Sequence, residues 1–258
     1  MKPHPSSNPD DTLTRVAELL RRAHHVVVLT GAGISAESGV PTFRDAQTGL
    51  WARYSPEELA TPQAFARRPH LVWAWYQWRR TLIRQATPNP GHLALVEIER
   101  RVPHFTLITQ NVDGLHRQAG SRHVVELHGN IMRTICSREG TVVERWSQPE
   151  GEEPPACPRC GAYLRPDVVW FGETLPPDAL QAAIEATATA DLFFSVGTSA
   201  VVQPAASLPV EAVRHGATLV EVNLEPTPVT PFAHYVLTGP AGTVLPALVR
   251  AAWPAPAP

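Results

Sequence analysis

Short apolar, β-branched runs recur along the chain, and each ends in small or polar residues. Residues 24–30 (HHVVVLT) are the first, followed by 105–109, 124–127, 191–196, 217–222 and 235–237. Between several of them lie segments with apolar positions three and four apart. Residues 11–23 place Leu13, Val16, Ala17 and Leu20 on one face, with Asp10 or Asp11 as a cap. Residues 92–101, 177–189 and 243–252 also predict helices. Strands alternating with helices predict an α/β fold with a parallel sheet.

Two long excursions break this alternation. Residues 46–93 are aromatic and helical in tone, with Trp51, Tyr54, Phe65, Trp73, Trp75, Tyr76 and Trp78. Residues 71–83 read as one helix, an aromatic stripe with solvated arginines. Tyr76 and Arg79, three apart, share a face of it. Residues 131–167 form the second excursion. The expected organisation is a sheet domain from 11–45, 94–130 and 168–252. The helical insertion 46–93 and the ribbon-like insertion 131–167 form a smaller lobe. Residues 1–10 and 253–258 are flexible tails.

Composition narrows the function classes. The 258 residues are long enough for a full core, and 43% hydrophobic content with a net charge of −2 describes an ordinary globule. No basic excess points to nucleic acid. MKPHPSSNPDD has no apolar core of a secretory signal, and no run approaches the roughly 18 apolar residues of a membrane helix. Three cysteines make no disulfide framework; they suit metal or structural thiols in a reducing compartment. Lys2 is the only lysine, which compositional bias explains. The oligomeric state is not legible.

The ends of the apolar runs carry the chemistry. Gly31-Ala32-Gly33-Ile34-Ser35-Ala36 fits the G-x-G-x-x-G/A form of a dinucleotide-binding turn. Gly31 permits a tight turn, Gly33 a close backbone approach to a pyrophosphate, and Ala36 close packing. Such turns bind anions through backbone N–H groups. At later strand ends stand Gln110-Asn111-Val112-Asp113, His128-Gly129, Gly197-Thr198-Ser199, Asn223-Leu224-Glu225 and Gly239-Pro240-Ala241. Ligands of doubly wound sheets sit beyond such ends.

The second excursion holds all three cysteines. Cys136 opens it and Cys157-Pro-Arg-Cys160 closes it, with Glu139 where a second C-x₂-C pair would place a cysteine. Carboxylate binds zinc, so a Cys₃Glu structural site is one reading; a ribbon that holds without metal is the other.

Three stretches carry a family resemblance. GAGISAESGVPTFRD and TQNVDGLHRQAG resemble the first and second signatures of the sirtuins, NAD-dependent protein deacylases, and the His128-Gly129 pair stands where that family carries its base. The resemblance covers nearly all of residues 13–250. It implies a Rossmann-like domain and a small lobe, with NAD and an acylated-lysine protein substrate in the cleft between them. It implies cofactor contacts from Gly31, Ala32, Gly33, Ile34, Ser35, Ala36, Glu37, Phe43, Arg44, Trp51, Gln110, Asn111, Val112, Asp113, Gly197, Thr198, Ser199, Asn223, Leu224, Glu225 and Ala241. Catalysis falls to Asn111, Asp113 and His128, with His116 in a structural role. Phe43 would shield the nicotinamide pocket and Arg44 orient the cofactor. Val168, Val169, Trp170, Phe171 and Gly172 resemble the family's peptide-binding strand.

Tyr76 and Arg79, preceded by Ala60, are similar to the subgroup called class III. There the pair holds the carboxylate of succinyl, malonyl or glutaryl groups, and the small Ala60 leaves room. Arginine's fork of donors suits a carboxylate independently of any family. The resemblance implies removal of acidic acyl groups, with acetyl as a weaker or parallel substrate, giving nicotinamide and 2′-O-acyl-ADP-ribose. A plain deacetylase, a protein ADP-ribosyltransferase and an idle NAD sensor are the competing readings.

Overall fold

The computed structural model describes residues 9–40, 54–147 and 153–254. Its strands are β1 (His25–Thr30), β2 (His104–Thr109), β3 (Val124–Glu126), β4 (Gly129–Cys136), β5 (Leu164–Val168), β6 (Leu192–Val196), β7 (Thr218–Asn223) and β8 (Tyr235–Thr238). Its helices are α1 (Pro9–Arg22), α2 (Pro56–Leu59), α3 (Pro62–Arg67), α4 (Pro69–Gln85), α5 (Pro90–Arg101), α6 (Leu115–Ala119), α7 (Pro177–Thr189), α8 (Leu208–Arg214) and α9 (Ala241–Ala252).

Six strands form one sheet in the order β3-β2-β1-β6-β7-β8, with every neighbouring pair parallel. Strand β1 reads as a continuous apolar run because both of its faces are covered. Val26 and Val28 pack with α1, α5 and α9 through Leu20, Leu95, Ile98, Leu245 and Leu248. Val27 and Leu29 face the other way, onto Ala183 and Ala186 of α7 and Leu208 and Ala212 of α8. The strand order reverses direction between β1 and β6, so their carboxyl ends flank a crevice. Crevices of this kind receive ligands in open α/β sheets.

A separate core joins the helices α2–α4 to the ribbon. Leu59, Ala60, Phe65, Trp75, Tyr76 and Ile83 pack with Ile131 of β4 and Val168 of β5. The ribbon itself is the antiparallel pair β4–β5. Arg80 corrects the expectation of solvated arginines on α4. It is buried and donates to the carbonyls of Ile131 and Arg133 and to Thr134 Oγ1, at 2.6, 2.7 and 3.0 Å. It therefore satisfies backbone acceptors of β4 that the helix would otherwise cover.

Most element boundaries lie within one or two residues of the expected ones, and α7 matches. The Gly-rich turn leads into two single 3₁₀ turns, Ala32–Ile34 and Ala36–Ser38. One reading needs correction. Only Val168 of the expected strand 168–172 lies in a strand; Phe171 and Gly172 form a turn. The Trp170 N–H donates to Glu173 Oε2 (2.8 Å), and that side-chain bond closes the turn in place of a ladder partner.

Candidate active site

A cleft of about 290 Å³ opens at the carboxyl edge of the sheet. Ala32 and Ser35 after β1, Gln110, Asn111, Val112 and Asp113 after β2, and His128 after β3 line one side. Ala60, Tyr76, Arg79 and the segment Val168–Gly172 line the other. The expected catalytic and substrate residues thus converge on one space, although they come from five separated stretches of chain.

The polar groups of this cleft are held by one another. Asp113 Oδ2 accepts from Ser35 Oγ (2.7 Å) and Oδ1 from the Leu115 N–H (2.9 Å). Burial raises the Asp113 carboxyl above its ordinary pKa, against these bonds and the Arg79 charge. Asn111 Nδ2 donates to the Gly31 carbonyl (3.0 Å) and to Ser35 Oγ (3.1 Å). His128 Nδ1 lies 2.9 Å from the Gln110 carbonyl, which can only accept. Nδ1 therefore carries the proton, and Nε2 keeps its lone pair. Burial lowers the His128 pKa below its ordinary value, so the ring is neutral at pH 7.

The wall lined by Tyr76 and Arg79 is apolar with two polar tips. Tyr76 is 0% exposed, and its hydroxyl accepts from Trp170 Nε1 at 2.9 Å. Burial pushes its pKa up to about 12, so it stays protonated and can donate. Arg79 is 8% exposed, with its guanidinium carbon 5.0 Å from the Trp75 ring centre and 5.9 Å from that of Tyr76. Burial lowers its pKa, opposed by Tyr76 and Asp113. A desolvated cation beside a hydroxyl donor is a strong carboxylate receptor.

The glycines of the β1 turn have a tertiary reason. A Cβ on Gly31 would lie 2.8 Å from the Gly197 carbonyl oxygen and from Thr198, and one on Gly33 would lie 2.8 Å from Gly197 Cα. The Gly33 N–H donates to the Gly197 carbonyl at 2.8 Å. The two strand-end turns of β1 and β6 are thus packed backbone to backbone. Gln110 Nε2 donates to Thr198 Oγ1 (2.9 Å), and Asn223 Nδ2 to the Thr198 carbonyl (2.9 Å). Ile34 is buried; Ala36, Ser199, Leu224 and Glu225 are exposed around these turns. Glu37 accepts from the Gly242 N–H at the start of α9 (2.7 Å), next to the buried Ala241. Polar and backbone groups from four strand ends converge here, which fits a dinucleotide at the switch point. Phe43, Arg44 and Trp51 lie outside the described residues.

His92 is a site residue that the sequence reading did not single out. It caps α5 by accepting the Asn89 N–H on Nδ1, and its Nε2 lies 3.5 Å from Ser35 Oγ. Its ring centre is 4.8 Å from that of His116, whose Nε2 pairs with Thr30 Oγ1 at 3.0 Å. Burial lowers His92 to about 4 and His116 well below its ordinary pKa. Two neutral histidines thus lie under the Ser35–Asp113 pair. The helix spacing of His92 carried no sign of this, because Ser35, 57 residues away, and His116, on another helix, meet it only in the folded chain.

The ribbon brings Cys136, Glu139, Cys157 and Cys160 together, with all four donor atoms within 4.8 Å of one another. The two halves repeat the same backbone. Gly140 and Gly161 follow with φ of 67° and 72°, and their N–H groups donate to the Cys136 and Cys157 carbonyls, both at 2.9 Å. Each half is a metal-knuckle turn, so the backbone that would present a cysteine presents Glu139 instead. Glu139 also pairs with Arg159 at 2.7 Å. The Arg159 N–H points at Cys157 and lowers that thiol to about 7. Three sulfurs and a carboxylate within this distance are compatible with structural zinc.

Comparison with known proteins agrees with this geometry. The Sir2 family model matches residues 31–204. The chain is 56% identical over 235 residues to NAD-dependent protein deacylase 2 of Pyrobaculum aerophilum, covering 91% of this chain and 94% of that one. It is 47% identical to a Sir2 homologue solved as an NAD complex, with a TM-score of 0.87 and coverage of 97% and 95%. It is 37% identical to Sir2Af2 bound to a myristoylated histone peptide, with a TM-score of 0.75 and coverage of 94% and 97%. The chain belongs to the Sir2 family, the sirtuins.

Proposed function

We propose that this chain removes acidic acyl groups, succinyl and malonyl, from protein lysines in an NAD-dependent reaction, with acetyl as a slower substrate. NAD-dependent protein deacylation itself is the activity in the names of relatives at 50–56% identity. One observation supports the acidic preference: Tyr76 and Arg79 are buried in the same cleft as His128 and Asn111. The Trp170 indole occupies a lone pair of the Tyr76 hydroxyl, so the Tyr76 proton is available to a carboxylate.

NAD supplies a sugar carbon whose bond to nicotinamide breaks readily. The chain's own groups supply position and proton transfer. Backbone and side chains of residues 31–36, 110–113, 197–199 and 223–225 would hold it. Asn111 is fixed by Gly31 and Ser35, so its amide is set before the ligand arrives and costs little to order. Asp113, supported by Ser35, favours positive charge developing beside it. His128 Nε2 accepts a proton from a sugar hydroxyl as acyl transfer proceeds. With one water consumed in releasing the lysine amine, the products are free lysine, nicotinamide and 2′-O-acyl-ADP-ribose. A cytoplasmic setting suits the three reduced thiols.

The test uses purified protein, NAD, and matched succinyl-lysine and acetyl-lysine peptides, with products read by mass spectrometry. Faster succinyl removal with O-succinyl-ADP-ribose is expected. A hydrogen bond to a charged group contributes about 1.5–3 kcal/mol, so Arg79→Met should lower desuccinylation roughly tenfold to a hundredfold. Desuccinylation unchanged in Arg79→Met would overturn the acidic assignment and leave the deacylase reading intact.

A further inference from the structure

We propose that Glu221 is a positioning residue for the cofactor: it holds the loop that leaves β7 in the shape that receives NAD. This role rests on the proposed cofactor contacts of Asn223, Leu224 and Glu225. Along β7, Val220 and Val222 pack towards α1, α5 and α9, while Leu219 packs the other way, towards α7 and α8. Alternation along the strand places Glu221 on the Leu219 face, where it is 1% exposed. A carboxylate in such an apolar layer is destabilising unless its oxygens are hydrogen-bonded.

Two loop hydroxyls hold it. Thr227 Oγ1 donates to Glu221 Oε1, and Thr230 Oγ1 donates to Oε2 at 2.5 Å. Each hydroxyl oxygen also accepts a loop N–H, Thr227 Oγ1 from Val229 at 3.1 Å and Thr230 Oγ1 from Thr227 at 2.7 Å. The carboxylate thereby fixes the turn 227–230 through both side chains that shape its backbone. Val229 seats the same turn in the core that holds Leu219. The other end of the loop is fixed independently. Asn223 Nδ2 donates to the Thr198 carbonyl at 2.9 Å, and the Asn223 carbonyl accepts the Gly239 N–H at 3.0 Å. Residues 224–226 are therefore a short exposed span between two anchored ends, with Leu224 62% exposed. Pro226 and Pro228 restrict its backbone further. A loop ordered before the ligand arrives lowers the cost of binding. In the sheet order, β7 lies beyond β1 from β3, which His128 follows. The loop thus meets the end of the dinucleotide remote from the chemistry, so Glu221 acts on NAD affinity and not on the chemical step.

The experiment is calorimetric titration of ADP-ribose into the full chain, with steady-state kinetics at varied NAD and a saturating acyl-lysine peptide. Glu221→Gln keeps the shape but offers one acceptor where two hydroxyls donate. It should bind ADP-ribose about fivefold or more weakly and raise KM for NAD in step, with kcat within about twofold of the parent. Thr230→Val keeps the volume and removes one donor; it should move both quantities the same way, and it carries the test if Glu221→Gln does not fold. The double variant Leu224→Ala/Glu225→Ala reads the contacts themselves and should also weaken ADP-ribose. If that double variant weakens binding while every folded variant of Glu221 and Thr230 keeps full affinity and only melts lower, the carboxylate is structural and the proposal is overturned, with the cofactor contacts intact. Unchanged affinity in the double variant would remove those contacts and the proposal with them. A fall in kcat without a change in affinity would also overturn it.

Discussion

Trp170 Nε1 donates to the Tyr76 hydroxyl across 2.9 Å, linking residues 94 positions apart in the wall of the cleft. The bond orients the tyrosine, and Arg165 orients the tryptophan. The Arg165 guanidinium carbon lies 3.3 Å from the Trp170 ring centre, and two of its nitrogens donate to Glu173 at 2.5 and 2.9 Å. Trp170→Phe removes the donor and keeps most of the ring. An orphaned buried partner costs about 1–3 kcal/mol. The expected outcome is a roughly five- to hundredfold larger loss of kcat/KM for the succinyl peptide than for the acetyl peptide. Equal losses on both peptides would mean that Trp170 acts through packing alone.

The acid limb of the rate should follow His128. The base must be neutral, and burial lowers its pKa below the ordinary value of about 6.5. The rate should therefore rise as His128 loses its proton, with a midpoint below pH 6.5, and be level from there to pH 8. A pH profile of kcat/KM checks this, and His128→Ala should abolish the turnover that gives the profile.

Stability should fall on acidification because of His92. Unfolded, it gains a proton near 6.5; folded, it does so at about 4. Between these values the unfolded chain binds more protons, so lowering the pH favours unfolding. The contribution is fully present above pH 6.5, lost progressively towards pH 4, and amounts to roughly 3 kcal/mol. Urea midpoints at pH 7.5 and pH 5 read about 2 kcal/mol of it. The difference between them should shrink in His92→Asn.

Glu139 gives a test of the ribbon. Its knuckle backbone matches that of the Cys157–Cys160 half, so Glu139→Cys should complete a four-sulfur set without rearrangement. Zinc retention against a chelator should rise, and the thermal midpoint of the zinc-loaded protein with it. Glu139→Ala should move both the other way. Metal analysis after dialysis, with a melting curve, reads the two effects.

Gly33→Ala should destabilise the fold through backbone contact. The added Cβ meets Gly197 Cα and its carbonyl oxygen at 2.8 Å, atoms that cannot rotate away. Overpacking of this kind costs about 1–3 kcal/mol. A lowered urea midpoint with unchanged slope is the expected signature.

Much of this protein was legible from local pattern. Apolar runs of strand length and helical spacing gave the alternation of elements, because burial on both faces of a parallel sheet demands that pattern. Strand-end positions made Asn111, Asp113 and His128 candidates, because such ends are where polar groups can meet a ligand, and the family resemblance singled them out. The Tyr76–Arg79 spacing was visible too. The tertiary structure decided what those residues face. Burial of Arg80 and the His92–His116 contact both depend on elements that meet only in the folded chain. Gly31 and Gly33 are small because the Gly197 turn of β6 packs against them. A single chain read in order carries no trace of that contact, since the two turns are some 165 residues apart and meet only when the sheet forms.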